Sequence, residues 1–288
     1  MNQSRFERQE RLFTKEGQMK IEKTSVSIIG VGGIGSHIAQ QLAFLGVDKF
    51  YLIDSDILET TNMNRFIGGK YDDAISRLLK IDIAERLIRS INPKAQIFKI
   101  SKNLLSEMAI TSIINSNFAF GCVDNDGPRL VLTEICSAYN IPYMDLSTEI
   151  LTQGQVDFGG RVQFCYDGNG CLMCYDELDQ DEITEYLENP EQKRDRKEIY
   201  GIKREDLMDS GPAVVSLNGL IASLALIEFM IHVTGVLRPA KRILYYRGRW
   251  GIITSQNEQS DLPKPDCYYC KGLRGKRENI NIKKYFKF

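Results

Sequence analysis

The sequence has almost no net charge. Its 37 Lys and Arg residues balance 38 Asp and Glu residues, which leaves a formal net charge of −1. A balanced chain offers no general surface for nucleic acid or for a membrane, so neither partner is expected. The sequence also lacks a signal-peptide pattern, internal repeats and low-complexity tracts, and its 43% of apolar residues is ordinary for a globular protein.

A disulfide framework is also missing. The chain has seven cysteines, and an odd number cannot pair completely. Four of them form two C-x-x-C pairs, whereas Cys122, Cys136 and Cys165 lie in or beside apolar runs and are predicted to be small core residues. This usage fits a reducing compartment, so we expect a cytoplasmic protein.

One apolar stretch, 213–233, approaches the length of a membrane span. It contains Ser216, Asn218, Glu228 and His232, which a lipid-facing helix rarely tolerates. Its length and polar content predict a buried core helix instead.

A glycine loop is the most informative motif that is present. The short β-branched run 26–29 leads into Gly30, Gly32 and Gly35, which fit G-x-G-x-x-G, and a helical pattern follows. Such a loop lets backbone N–H groups and a helix N-terminus approach an anionic or polar nucleotide group. Asp54 ends the next apolar run, where an acidic side chain can hold ribose hydroxyls. The loop therefore predicts nucleotide binding, but it does not identify the nucleotide.

The first half of the chain alternates between strand and helix patterns, which predicts an α/β fold. We expect a Rossmann-like, doubly wound, mostly parallel sheet that antiparallel strands of the C-terminal half extend. The predicted strands are 26–29, 49–53, 96–100, 118–123 and 142–146, followed by 155–165 and 242–254 in the second half. The predicted helices of the first half are 36–45, 74–91, 106–114 and 128–139.

The two C-x-x-C pairs predict a metal site. Cys171 and Cys174 form the first pair, and Cys267 and Cys270 form the second. Four thiolates complete a tetrahedral shell suited to Zn²⁺ and leave no position open for substrate, so the predicted zinc is structural. A redox dithiol pair and an iron–sulfur cluster are the competing interpretations.

Several charged and polar residues suit a triphosphate better than a dinucleotide. They are Asp56, Asn62, Arg65, Lys80 and Asp124, and most follow the predicted strands at their C-terminal ends. Arg65 and Lys80 can neutralise phosphates, and Asp124 can hold Mg²⁺. Each residue alone is also explained as a surface charge or a strand-end cap. Their joint occurrence in this order is much more specific.

These motifs together resemble the ThiF/MoeB/HesA family of ubiquitin-activating-enzyme-like adenylyltransferases. The resemblance covers nearly the whole chain. The matching segments are the arm R-F-E-R-Q at 5–9, the glycine loop at 30–35, D-S-D at 54–56, N-M-N-R at 62–65, the helix lysine at 80, V-D-N at 123–125, Gly-Pro at 211–212 before the long apolar helix and both C-x-x-C pairs.

The resemblance implies an ATP- and Mg²⁺-dependent attack of a C-terminal carboxylate on the α-phosphate, with release of pyrophosphate. The implied partners are the C-terminal tail of a small carrier protein or peptide and a second copy of the chain in a homodimer. The implied contacts are Gly32, Gly33 and Asp54 with adenosine, Asn62, Arg65 and Lys80 with phosphates and ribose, Asp124 with Mg²⁺, and Arg8 with the site of the partner subunit.

The resemblance also implies one adenylation domain over residues 1–288. Its predicted parts are an N-terminal arm at 1–24, a nucleotide-binding half at 25–150, a C-terminal half at 151–270 with a charged crossover segment at 175–210, and a basic tail at 271–288. We expect a poorly ordered tail. The crossover is interpreted as a solvated helix or loop, as a lid or partner-binding element, or as both.

The crossover contains no cysteine, and none occurs between Tyr175 and Asp266. A covalent thioester on this chain is therefore not expected. The leading substrate is a small ubiquitin-like or sulfur-carrier protein. The alternative is the C-terminus of a ribosomal peptide, as in microcin-type synthesis. A nicotinamide-dependent oxidoreductase and an inactive subunit of an enzyme pair are weaker alternatives.

Overall fold

The computed structural model describes residues 4–152, 155–188, 213–255 and 263–286. Its strands are β1 (Ser25–Ile29), β2 (Lys49–Ile53), β3 (Gln96–Ile100), β4 (Phe118–Gly121), β5 (Tyr143–Leu151), β6 (Asp157–Cys165), β7 (Ile243–Arg247) and β8 (Ile252–Thr254). Its helices are α1 (Glu7–Lys23), α2 (Gly33–Leu45), α3 (Tyr71–Ile75), α4 (Lys80–Ile91), α5 (Glu107–Ile114), α6 (Asp126–Ala138), α7 (Gln180–Leu187) and α8 (Val215–Thr234).

The eight strands form one mixed sheet in the order β3-β2-β1-β4-β5-β6-β7-β8. Strands β1 to β5 are parallel, and β6, β7 and β8 add antiparallel pairs. This arrangement confirms the predicted doubly wound, mostly parallel sheet with an antiparallel extension. The strand order reverses between β1 and β4, which is where ligands bind in sheets of this type.

Alternate strand residues send their side chains to opposite faces, and each face has its own core. Val26 and Ile28 of β1 face a core with α2, α4 and α8, whereas Ile29 faces the core with α5 and α6. Helix α8 is long and apolar enough to cross a membrane by length and composition. In this structure Ile221, Ala225 and Phe229 of α8 are fully buried against the sheet, as predicted for a core helix.

The predicted helix 74–91 is wrong in its continuity. The structure has two helices there, α3 and α4, because residue Arg77 takes a positive φ of 52° and Leu79 is extended. Leu79 pairs with Ile57 in an isolated antiparallel bridge. The break makes Lys80 the first residue of α4, and its N–H donates to the Asp56 carbonyl at 2.9 Å.

The predicted strand 242–254 is also divided. Gly248–Trp250 forms a short 3₁₀ turn and Gly251 has a φ of +60°, so β7 and β8 fold back as an antiparallel hairpin. The predicted strand 118–123 ends two residues early, at Gly121.

The expectation of a poorly ordered tail is wrong for residues 271–286. Leu273 and Tyr285 are buried, and the Tyr285 hydroxyl donates to Glu134 of α6. Lys284 Nζ also donates to Glu134 at 2.7 Å. The apolar residues among the basic ones thus dock this segment on α6. Residues 189–210 of the predicted crossover lie outside the described residues.

Candidate functional site

A cleft of about 830 Å³ opens at the C-terminal edge of the parallel strands, where the order reverses. The residues that follow β1, β2, β3 and β4, together with residues 146–150 of β5, form most of its lining. It brings together most of the residues predicted from the sequence: Gly30, Gly32, Gly33, Asp54, Asp56, Asn62, Arg65, Lys80 and Asp124. Gly35 and Arg8 do not line it.

The glycine loop fits the backbone tightly on its inner side and leaves space on its outer side. Gly30 has a φ of +83°, and a Cβ there would lie 2.6 Å from the Cys122 carbonyl oxygen. A Cβ on Gly35 would lie under 3.0 Å from the Gly30 carbonyl, so Gly35 allows α2 to pack against the end of β1. A Cβ on Gly32 would meet nothing within 4 Å. The loop therefore presents an open backbone surface at Gly32, as a nucleotide requires.

Asp54 joins the glycine loop to the residues that follow β2. One carboxylate oxygen accepts the Val31 N–H at 2.6 Å, and the other accepts the Asp56 N–H at 2.7 Å. Burial raises the pKa of Asp54, and the neighbouring Lys80 charge opposes that rise. The fixed carboxylate keeps lone pairs for ribose hydroxyls.

Two cations line the cleft on the segment between β2 and α4. Lys80 Nζ lies 2.8 Å from the Asp56 carboxylate. Arg65 donates through one guanidinium nitrogen to the Thr61 carbonyl at 3.0 Å and to Asn64 Oδ1 at 3.2 Å. These contacts leave the other guanidinium N–H groups of Arg65 available to phosphate oxygens.

Asp124 follows β4 and is exposed within the cleft. Among the described residues, no hydrogen bond or ion pair engages its carboxylate. The side chain of Asn125 accepts the Gly127 N–H at 2.9 Å and caps α6, which fixes the turn that carries Asp124. A carboxylate that lines the same cleft as Arg65 and Lys80 suits Mg²⁺.

Arg8 lies exposed on α1 and stays outside the cleft of its own chain. It therefore cannot complete that cleft without movement of the arm or a contribution from another chain.

Sequence reasoning missed a buried ionic network beside the cleft. Asp145 is fully buried and accepts hydrogen bonds from Arg161 at 2.8 Å and from the Tyr143 hydroxyl at 2.9 Å. Arg161 also pairs with Glu177, and Arg129 Nε lies 3.4 Å from Asp145. Arg161, Glu177 and Arg129 line the cleft. Asp145 inside an apolar predicted strand was the available signal, because a buried charge needs a partner.

The four paired cysteines meet in one buried cluster. The Sγ atom of Cys171 lies 3.9 Å from the Sγ atom of Cys174 and 3.8 Å from that of Cys267. The Sγ atoms of Cys174 and Cys270 lie 3.6 Å apart. All four ligand atoms lie within 4.8 Å of one another. A tetrahedral ion with metal–sulfur bonds of about 2.3 Å places its sulfurs about 3.8 Å apart, so the donor set fits Zn²⁺.

A doubly wound sheet, an open glycine loop and a charged cleft at the switch point define a nucleotide-binding α/β protein. Comparison with family models identifies the family, because the model of the ThiF family matches residues 6–268. The chain belongs to the ThiF family.

Several curated relatives carry enzyme names. The sulfur carrier protein ThiS adenylyltransferase of Escherichia coli (strain K12) is 25% identical over 236 residues, which cover 81% of this chain and 82% of that protein. The adenylyltransferase and sulfurtransferase MOCS3 of Drosophila yakuba is 26% identical over 90% of this chain. The chain spans only about half (51%) of MOCS3. The family and these relatives make this chain an enzyme of the adenylyltransferase type.

Solved structures share the fold. Escherichia coli MccB with selenomethionine MccA superposes with a TM-score of 0.71 at 20% identity, covering 94% of this chain and 75% of that one. PaaA superposes with a TM-score of 0.64 at 19% identity, covering 88% of this chain and 81% of that one. At these identities the likeness concerns the fold.

Proposed function

We propose that this chain transfers AMP from ATP to the C-terminal carboxylate of a small ubiquitin-like or sulfur-carrier protein. The observation that carries the proposal is the cleft itself. It collects an open glycine loop, a fixed Asp54, two cations and the Asp124 carboxylate, which has no partner among the residues that the structure describes, at one sheet edge. The ThiS adenylyltransferase relative, which this chain covers for most of its length, supports the choice of a carrier protein.

The proposed reaction needs no nucleophile from the enzyme. The carboxylate of the substrate is ionised at neutral pH and attacks the α-phosphorus, so a new carboxyl–phosphate bond forms. The bond to the bridging oxygen breaks, and pyrophosphate leaves with its electron pair. The enzyme supplies alignment and charge neutralisation.

Each cleft residue has a role in this scheme. Asp54 accepts hydrogen bonds from the ribose, and the backbone at Gly32 approaches the phosphates. Arg65 and Lys80 neutralise the charge that develops on the leaving pyrophosphate. Lys80 exchanges its bond with Asp56 for a phosphate oxygen when ATP binds. The Asp124 carboxylate would hold Mg²⁺, and the ion would supply positive charge that neutralises the phosphates.

Three further assignments belong to the proposal. The cysteine cluster holds a structural Zn²⁺, because its sulfur spacing matches tetrahedral coordination and its four ligands leave no open position. The protein is a cytoplasmic homodimer in which Arg8 of one subunit reaches the cleft of the other. The cysteines outside the metal cluster, Cys122, Cys136 and Cys165, form no thioester with the acyl group, since burial raises the pKa of each thiol.

An exchange assay tests the reaction. The full chain with ATP, Mg²⁺ and a carrier protein ending in Gly-Gly is expected to exchange labelled pyrophosphate into ATP. Arg65→Ala and Asp124→Ala are expected to lower the exchange rate by about a hundredfold or more. Lys94→Ala and Asp72→Ala remove exposed charges outside the cleft and are the matched controls.

Unchanged exchange in Arg65→Ala and Asp124→Ala would contradict the assignment of the site. Exchange with a ribosomal peptide but with no Gly-Gly carrier would favour peptide adenylation instead. Calorimetric titration with NAD tests the oxidoreductase alternative. We expect no NAD binding, and tight binding of NAD would contradict the proposal.

A further inference from the structure

Helix α7, the first helix of the crossover, is clasped to the N-terminus of α6 beside the cleft. The Asp179 N–H donates to the Asp126 carboxylate at 2.7 Å, and the Asp126 N–H donates to Glu182 at 3.0 Å. Asp179 also caps α7 by accepting the N–H groups at positions 181 and 182. Each helix thus supplies a partner for the free N–H groups of the other.

Tyr186 of α7 packs against Gly127 in the first turn of α6, directly after the turn that carries Asp124. A Cβ on Gly127 would lie under 3.0 Å from the Tyr186 Cβ, so this approach of α7 to α6 requires glycine at position 127. The Tyr186 hydroxyl donates to Asn103 Oδ1 at 3.1 Å, and the same oxygen accepts the Leu105 N–H at 2.9 Å. Tyr186 therefore spans the gap between α6 and the loop after β3.

This part of the cleft differs chemically from the part with the cations. Leu104, Val123 and Tyr186 belong to the core on the α5 and α6 face of the sheet, or pack against it. Arg65 and Lys80 come from the segment that ends in α4, whose apolar side faces the opposite core. Asp54, which follows β2, lies between the apolar side of the cleft and the side with the two cations. A nucleotide with its ribose on Asp54 and its phosphates on the cations would place its base on the side of Tyr186.

The chemistry of that side suits a purine. Leu104, Val123 and Pro128 line it with apolar surface, and Tyr186 adds an aromatic ring. Asn103 uses its oxygen for two hydrogen bonds, and its amide N–H groups have no partner among the described residues. An amide donor at the edge of an apolar slot can reach a ring nitrogen of a base.

We propose that Tyr186 and Asn103 form the outer wall of the base subsite, so that α7 of the crossover is part of the nucleotide pocket. The inference rests on the proposed function, since it places the base of the proposed ATP. It assigns the beginning of the crossover to nucleotide binding rather than to the carboxylate substrate.

The test compares ATP with AMP. Both are titrated calorimetrically into the full chain, because AMP retains the base and ribose but lacks the β- and γ-phosphates. Tyr186→Ala is expected to weaken ATP and AMP by the same factor, about tenfold, since stacking on a base is sequence-tolerant and independent of the phosphates. Arg65→Ala is expected to weaken ATP much more than AMP. Thr184→Ala, an exposed change on the same helix, is the control.

A second variant reaches the same wall from the other side. Gly127→Ala keeps the Tyr186 side chain but pushes α7 away from α6. It is therefore expected to weaken the binding of ATP and AMP as Tyr186→Ala does. Tyr186→Phe keeps the ring and loses only the hydroxyl hydrogen bond, so the affinity for ATP and AMP is expected to fall by at most about threefold. Thermal melting verifies the fold of each variant, and Tyr186→Leu replaces Tyr186→Ala if the latter does not fold.

The outcomes separate the two proposals. If the wild-type chain binds ATP and the Tyr186 and Gly127 variants bind it with the same affinity, the proposed base subsite is overturned and the proposed function is not. A Tyr186 or Gly127 variant that weakens ATP binding but not AMP binding also overturns it. Failure of the wild-type chain to bind either nucleotide overturns both proposals.

Discussion

Lys80 Nζ lies 2.8 Å from Asp56 Oδ2, and this pair stands next to the half-buried carboxylate of Asp54. The Lys80 side chain is only 13% exposed, whereas that of Asp56 is 64% exposed. Burial is the largest influence on Asp54 and raises its pKa. The charge of Lys80 lowers that pKa, and the charge of Asp56 raises it again.

The two neighbours of Asp54 are therefore expected to shift its titration in opposite directions. Lys80→Ala removes a stabilising positive charge and raises the pKa of Asp54, whereas Asp56→Asn removes a repelling negative charge and lowers it. Because the ionised form accepts the ribose hydroxyls, AMP affinity falls as the pH drops through this pKa. The acid limb of AMP binding, measured by calorimetry, moves to higher pH in Lys80→Ala and to lower pH in Asp56→Asn.

Lys70→Ala removes an exposed cation away from Asp54 and is the control for this titration. A shift in the same direction for Lys80→Ala and Asp56→Asn would contradict the electrostatic explanation.

The buried network around Asp145 predicts a large loss of stability. Asp145→Asn removes the fully buried carboxylate that Arg161 and Arg129 share, and leaves these buried cations only their other partners, Glu177 and Asp126. Breaking such a pair costs about 3–5 kcal/mol. Urea unfolding is expected to show this loss as a lower midpoint with an unchanged slope.

The exposed pair of Arg11 and Glu7 provides the comparison for Asp145. Their side chains are 73% and 43% exposed, so water screens the charges and Glu7→Gln is expected to leave the urea midpoint unchanged. Equal losses in the two variants would show that burial does not govern the energy of the Asp145 network.

Removal of the metal is expected to lower the melting temperature strongly. The cysteine cluster joins residue pairs that are 96 positions apart in the chain, and structural zinc contributes to folding directly. Metal analysis should give one Zn²⁺ per folded chain. Cys267→Ser, or a chelator, should lower the melting temperature by about 10 °C or more.

Cys136→Ser is the matched control for the metal, since Cys136 is buried but stands outside the four-sulfur cluster. It is expected to keep the full zinc content. A folded wild-type protein with far less than one metal ion per chain would refute the zinc assignment.

The sequence predicted the parts of the cleft whose chemistry is local. Gly30, Gly35 and Asp54 follow from one strand–loop–helix pattern, and the five parallel strands were located within a few residues. The two C-x-x-C pairs also met as predicted, because few other arrangements satisfy four thiols. The break before Lys80 was missed because the apolar period of 74–91 is helical throughout, whereas a tertiary bridge between Ile57 and Leu79 interrupts it.

Long-range polar contacts explain the rest of what was missed. Arg161 is an ordinary charged residue in the sequence until the fold places it between Asp145 and Glu177. Likewise, the basic composition of the tail hid Tyr285, whose partner Glu134 lies far away in sequence. Pattern reasoning detects periodicity and spacing, and neither carries information on partners this distant.

The proposed role of Arg8 predicts complementation between subunits. Arg8→Ala and Lys80→Ala are each expected to be inactive in pyrophosphate exchange. In a mixed dimer, the cleft with intact Lys80 receives the intact Arg8 of the other chain, and the second cleft lacks both. Random mixing of the two variants should therefore restore about a quarter of the wild-type activity.

The two variants must be unfolded, mixed and refolded together so that mixed dimers can form. A sample of each variant refolded alone is the control. The absence of any recovery in a mixture that forms dimers would show that Arg8 does not act across subunits.

The glycine loop gives the sharpest separation of folding from binding. A Cβ on Gly35 would collide with the Gly30 carbonyl, so Gly35→Ala forces α2 away from β1 and is expected to lower the melting temperature substantially. Gly32 has a negative φ of −91° and open space around its Cβ position. Gly32→Ala should therefore keep the wild-type melting temperature. Its methyl group nevertheless enters the surface that a phosphate would contact, and ATP affinity should fall by about tenfold or more. A Gly32→Ala protein with normal ATP affinity would place the nucleotide elsewhere in the cleft, because no bound phosphate could then rest on the open backbone at this position.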